Sequence, residues 1–176
     1  DSGVAFSLKV VNDSPNALCG VYITLHDQPW GENRFQAGAR LETGEFYTIT
    51  GLTAQNFDVK TVTCEGDIPS FGINTDYVGL VEQYGTSLTY TISGVPNTVV
   101  QNHSSVDLCG VAIGPTGASD WFRNLLSEGQ PLAPGEEITF FMPGGQFDLS
   151  AWACNGTTVV APDQPIPEGY TFEVVD

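Results

Sequence analysis

"VVNDSPNALCGVYI" at residues 10–23 returns as "VQNHSSVDLCGVAI" at 100–113. Asn12 and Ser14 of the first stretch match Asn102 and Ser104 of the second, and each stretch ends on Cys-Gly-Val-x-Ile. The correspondence continues in order along the chain. Trp30 matches Trp121 after a one-residue shift, "LETGEFYTI" at 41–49 matches "LAPGEEITF" at 132–140, and "NFDVKTVTCEG" at 56–66 matches "QFDLSAWACNG" at 146–156. "TYTI" at 89–92 falls where "TFEV" does at 171–174. Agreement over nearly the whole length marks a duplicated unit, and its period is too long for a solenoid repeat. It predicts two small domains in tandem, 1–94 and 95–176, the first with an N-terminal strand extension.

The four cysteines fall into this frame. Cys19 and Cys64 occupy the same repeat positions as Cys109 and Cys154, and no C-x-x-C pair occurs. One disulfide per repeat follows, Cys19–Cys64 and Cys109–Cys154. Zinc would need ligands in close pairs, and the only histidines are His26 and His103. A domain of ~85 residues has a thin core, and closing a loop of this size adds about 4 kcal/mol on the chain-entropy account. Disulfides imply an oxidising setting, so the expected location is extracellular or at the cell surface. The chain opens at Asp1 without Met, which points to a processed product.

The secondary structure reads as strand. "FSLKVV", "GVYITL", "EFYTIT", "FDVKTV" and "SLTYTI" are rich in β-branched and aromatic residues, and Gly, Pro, Asn and Asp bound most of them. The only helical pattern apparent is "DWFRNLLSEG" at 120–129. The fold class expected is all-β: two small antiparallel β-sandwich domains of immunoglobulin-like type, braced by one disulfide each. The series V-x-N-x-S, C-G-V-x-I, Trp, L-x-P-G-E and G-x-F-D-L resembles tandem β-sandwich repeat modules of secreted bacterial proteins. It covers most of each half. The second half fits better, because "LETGE" stands for "LAPGE" in the first. The resemblance implies an extracellular module and brings no catalytic residues with it.

Charge excludes some partners. With 21 acids against five bases the formal charge is −16. Such a chain repels nucleic-acid phosphates and anionic membrane surfaces. No apolar run approaches the ~20 residues of a membrane helix, so membrane insertion is not expected. Catalysis finds no constellation either. His26 and His103 are not equivalent in the repeat, and neither a G-x-S-x-G elbow nor a Gly-rich phosphate loop occurs. Calcium is the one cofactor the loops offer oxygens for, from Asp27, Glu32, Asp67, Asn74 and Asp76. Asn12, Asn102 and Asn155 begin sequons. The coincidence of Asn12 and Asn102 with the repeat favours a shared turn over a glycan.

Shared segments build the fold, so unshared ones are where function is to be sought. The stretch from Cys64 to Gly85 is longer than its counterpart from Cys154 to Gly169, and it carries Phe71, Tyr77 and Tyr84. Apolar groups of this kind normally meet a partner. At the N-terminus, Val4, Phe6, Leu8 and Val10 alternate with Ala5, Ser7 and Lys9. That stretch is either the first strand of its own domain or a strand for a neighbouring molecule's sheet. The reading that results is a non-enzymatic structural or adhesion protein, a candidate filament subunit, partnered by itself or by another extracellular protein. The alternative is a carbohydrate-binding module using Trp30, Trp121 or Trp152.

Overall fold

The computed structural model describes residues 3–117, 123–166 (backbone only over 159–166) and 170–176. The chain divides into two compact units, Asp1–Val95 and Pro96–Asp176. Unit 1 holds strands β1 (Ala5–Asn12), β2 (Leu18–Leu25), β3 (Phe46–Thr53), β4 (Asn56–Thr63) and β5 (Ser70–Asp76). A short helix α1 (Tyr77–Tyr84) and strand β6 (Ser87–Ile92) complete it. Unit 2 holds β7 (Thr98–Asn102), β8 (Leu108–Pro115), β9 (Glu137–Phe140), β10 (Gly145–Ala153), β11 (Thr158–Ile166) and β12 (Tyr170–Val174). The chain is thus all-β apart from α1 among the described residues.

Each unit has two three-stranded sheets with the same pairing scheme. In unit 1 the orders are β3-β1-β6 and β2-β4-β5; in unit 2 they are β9-β7-β12 and β8-β10-β11. The first strand of each unit pairs antiparallel with the third and parallel with the last. An immunoglobulin sheet keeps its first and second strands together. Here they lie in different sheets, so the pairing differs from that of an immunoglobulin constant domain. In unit 1 both sheets feed one core: Phe6, Leu8 and Val10 of β1 and Ile92 of β6 meet Val21, Ile23, Phe57 and Val59 of β2 and β4.

This placement corrects the reading of the N-terminal stretch as a strand for donation. β1 is the middle strand of its own sheet, with neighbours on both sides. Phe6, Leu8 and Val10 are buried in the core of unit 1, and Val4 lies before the strand and is exposed. The stretch has no free edge to give a neighbour.

The disulfides join Cys19 to Cys64 and Cys109 to Cys154. Each ties the second strand of its unit to the residue just past the end of the neighbouring strand, β4 or β10, and each sits at a bulge. Leu18 pairs with Thr63 and Gly20 with Val62, leaving Cys19 as the extra residue; Cys109 is extra between Leu108–Ala153 and Gly110–Trp152.

The two units agree down to single hydrogen bonds. Asn12 is fully buried, and its Nδ2 donates to Asn16 O and Leu41 O. Its Oδ1 accepts from Ser14 N and Ser14 Oγ. Asn102 repeats the set with Val106 O, Leu132 O, Ser104 N and Ser104 Oγ. With both amide hydrogens committed inside the protein, Asn12 and Asn102 have none left for a glycan in the folded chain. The sequon reading gives way to the turn. Asn155 is exposed, and its Oδ1 accepts from Thr157 N.

Asn12→Ala and Asn102→Ala each strand several buried backbone groups, at ~1–3 kcal/mol for each unsatisfied group. The two variants are therefore expected to destabilise their own units by similar amounts of about 3 kcal/mol. Calorimetry of each variant, read against the wild-type transitions, checks this; a large effect at one asparagine and none at the other would contradict it.

Candidate functional site

Unequal residues in equal positions concentrate on the face of β4 that points away from the core. Tyr22 of β2 and Phe71 of β5 flank Lys60 of β4 in register. The Lys60 ammonium lies 5.1 Å from the Tyr22 ring centre and 4.7 Å from that of Trp30. An ammonium over aromatic faces is attracted by their quadrupoles, which offsets part of its desolvation. Lys60 is only 1% exposed and Trp30 only 3%. The covered ring of Trp30 leaves no face for a sugar to stack on, so Trp30 drops out as a carbohydrate residue. Ser150 and Ala112 stand where unit 1 has Lys60 and Tyr22.

In unit 2 the same face is organised by Trp152, which pairs with Gly110 on β8. A Cβ at Gly110 would fall 1.9 Å from the Trp152 ring, so the indole lies directly on the glycine backbone. Trp152 is half-buried by this contact. Trp121 lies outside the described residues.

Beside Lys60 on β4 is Asp58, fully buried. Its Oδ1 meets His26 Nδ1 at 2.9 Å and accepts from Asn74 N at 2.6 Å. His26 Nε2 faces Asp27 Oδ1 at 3.2 Å. Asp27 and Asn74 both have positive φ, 64° and 52°, a region Asn and Asp tolerate better than most residues. A buried carboxylate orienting an imidazole is a familiar catalytic device. Here, however, the second ring nitrogen addresses another carboxylate and not a hydroxyl or thiol. Unit 2 supplies the comparison: Asp148, the counterpart of Asp58, accepts from Gly117 N at 3.0 Å. Anchoring the turn after the second strand is therefore the role common to both units, through the His26 side chain in unit 1 and the Gly117 backbone in unit 2.

The candidate calcium ligands take several different roles in unit 1. Asp76 accepts from Gly79 N at the start of α1, and Asn74 Oδ1 accepts from Asn56 Nδ2. Asp67 is engaged through its backbone in the turn after Thr63, and Glu32 is exposed. Among the described residues no three of His, Cys, Asp or Glu are grouped to hold a metal.

The segment after Cys64 builds something different. Residues 70–76 add β5 to the sheet, and the chain then turns into α1, capped by Asp76 and ended by Gly85 at φ 85°. Val81 and Tyr77, one helical turn apart, face inward; the Tyr77 ring stacks on Phe6 at 5.3 Å and meets Phe57 edge-on at 5.6 Å. Of the three assembly residues sought in this segment, Tyr77 is thus core, Phe71 belongs to the Lys60 face, and Tyr84 is 65% exposed. Between α1 and β6 remains an open cleft of about 440 Å³. Tyr77, Leu80 and Tyr84 wall it on the helix side. The tyrosine signal was visible in the sequence; Leu88 and Tyr90, on the opposite wall, were not separable from an ordinary strand. Burial raises the phenol pKa of both Tyr77 and Tyr90, and the hydrogen bond between Ser70 and Tyr90 works against the rise.

No family model and no curated protein matches the chain. Among solved structures it is similar to the Bacillus anthracis TIE protein, at 8% identity and a TM-score of 0.30 over 98% of this chain and 34% of that one. It is likewise similar to a leucine-rich repeat protein from Bacteroides thetaiotaomicron VPI-5482, at 8% identity and a TM-score of 0.30 over 96% of this chain and 25% of that one. The chain spans about a third and a quarter of these two chains.

Two measurements check the site. Gly110→Ala forces the indole off its neighbour and is expected to destabilise unit 2 by about 1–3 kcal/mol, with red-shifted tryptophan emission; unchanged melting and emission would contradict the contact. In an alkaline titration, burial keeps Tyr77 and Tyr90 protonated beyond the ordinary phenol range of pH ~10. Their folded pKa lies above the unfolded one, so this stabilisation is complete below about pH 10 and declines above it. Phenolate absorbance followed together with circular dichroism should show Tyr77 and Tyr90 titrating only as unit 1 unfolds.

Proposed function

We propose that the chain is a non-catalytic extracellular adhesion module that holds a macromolecular partner in the cleft between α1 and β6. The observation that carries this reading is the origin of the cleft. Its helix wall comes from the one long segment of unit 1 that the second copy does not match, set on a scaffold otherwise repeated. A volume of about 440 Å³ lies within the ~300–1,000 Å³ usual for binding clefts. The exposed Tyr84 ring at its side is the kind of rigid, amphipathic surface enriched at interfaces.

Three further points agree. Both units carry a disulfide, which fits an oxidising compartment. Among the described residues no helix is long and apolar enough to cross a membrane. The motif series resembles repeat modules of secreted bacterial proteins. Self-assembly by donation of residues 4–10 is not part of this proposal, since those residues complete their own sheet.

The test is retention of the intact chain on paired peptide and glycan arrays, with Leu80→Asp as the cleft variant. Binding to one class, lost in the variant while circular dichroism is unchanged, is the expected result. Silence on both arrays, or binding that Leu80→Asp leaves intact, would remove the reading.

A further inference from the structure

The cleft has a second wall, made by β6, and its composition is informative. Ser87, Leu88, Thr89 and Tyr90 are consecutive, and all four line it. Side chains on a strand alternate between faces. A cleft reached by both sets runs along the strand's edge, where the backbone is presented. Among the described residues β6 is an edge strand: β1 is its one neighbour in the sheet order β3-β1-β6.

The register identifies the backbone groups involved. A parallel ladder engages both polar groups of every second residue. Ser7 N donates to Thr86 O at 2.9 Å and Asp13 N to Ile92 O at 2.8 Å, and the intervening pairs run Ser7–Ser87 to Asn12–Ile92 without a shift. The even-numbered residues of β6 therefore address β1. The N–H and C=O of Ser87, Thr89 and Thr91 point the other way, toward the free edge. The side chains of these three are exposed, whereas Leu88 and Ile92 are buried. A row of unpaired backbone donors and acceptors beside an apolar wall is what strand addition requires.

Resting on the adhesion reading, we infer that the occupant of the cleft is an extended peptide segment that adds to the free edge of β6. Its backbone bonds to Ser87, Thr89 and Thr91, and alternate apolar side chains fill the space lined by Tyr77, Leu80 and Leu88. Toward the far end of β6 a Ser70–Tyr90 hydrogen bond ties β5 to β6 across the two sheets. The charge around the cleft specifies the flanks. Asp76 and Glu82 are the charged residues of residues 70–92, and no Lys or Arg occurs between Lys60 and Arg123. Lys9, opposite Thr89 on β1, is turned to the Phe46 ring at 4.1 Å. A segment with basic residues beside its apolar core is the complementary partner, and its binding weakens with salt.

The experiment uses the full chain and an array of synthetic ten-residue peptides alternating apolar and polar residues, with arginine or glutamate at the ends. Fluorescence anisotropy ranks them, and amide hydrogen exchange by NMR reads the edge. The expected result is preference for arginine ends, tenfold or greater slowing of exchange at Ser87, Thr89 and Thr91, and tenfold weaker binding by Thr89→Pro. Proline there removes an N–H that β1 does not use, so the sheet is kept; Thr89→Val retains binding. If Thr89→Pro does not fold, wild-type exchange with the array still decides the matter. Peptide binding that leaves these three amides unprotected overturns the inference. So does protection of the cleft by an oligosaccharide or by a second copy of the chain instead of a peptide, and these outcomes leave the adhesion reading standing. Failure of peptides, oligosaccharides and a second copy alike to perturb the cleft overturns both.

Discussion

One buried asparagine per unit holds the architecture together. Asn12 and Asn102 sit where the first strand ends, and each side chain satisfies carbonyls from two other segments while its own oxygen closes the following turn. A primary amide suits this position because it has two donors and an acceptor on one short stem. An aspartate would present oxygens to oxygens, and a glutamine would place the group farther out. With that junction fixed, the chain crosses from the first sheet to the second, and the start of the third strand is held against the end of the first. The Cys19–Cys64 and Cys109–Cys154 bridges act in the other sheet, so the covalent and hydrogen-bonded constraints divide the work of bracing a thin core.

Much of this was legible in the sequence for a physical reason. Duplication lets each copy test the other. A buried hub such as Asn12 stays fixed while its surroundings vary, so aligned N-x-S and C-G-V stretches marked both the turns and the sulfur pairs. Sheet order was less accessible. Val4, Phe6, Leu8 and Val10 show alternation, yet an alternating strand looks the same whichever sheet receives it. Topology stayed open in the sequence for a related reason: strand content is local, but pairing is decided by contacts far apart in the chain. Helix α1 escaped because Gly79 interrupts it and only Tyr77 and Val81 of its residues are buried. Its boundary residues, Asp76 and Gly85, were the available signal. His26 and Asp58 are far apart in sequence, and nothing local announced that they would meet.

The contrast between the units separates scaffold from specialisation. Asp58 and Asp148 perform the same anchoring task on different partners, which identifies the carboxylate as part of the scaffold. The face of β4 around Lys60 and that of β10 around Trp152 are alternative ways of covering a sheet that has only three strands. One uses a cation among rings, the other an indole laid on glycine. The cleft beside β6 differs in kind, because its helix wall comes from a stretch longer than its counterpart in the second copy, and among the described residues an open strand edge lies beside it.

The parallel pairing of first and last strands also has a mechanical meaning. In unit 1 the chain enters at the start of β1 and leaves at the end of β6, and the two strands run the same way side by side. Tension between those points slides one strand along the other, so their registered hydrogen bonds bear load together in shear instead of parting one by one. β7 and β12 repeat the clamp in unit 2. Should a clamp yield, the bridge across a separation of 45 residues still withholds that length from extension.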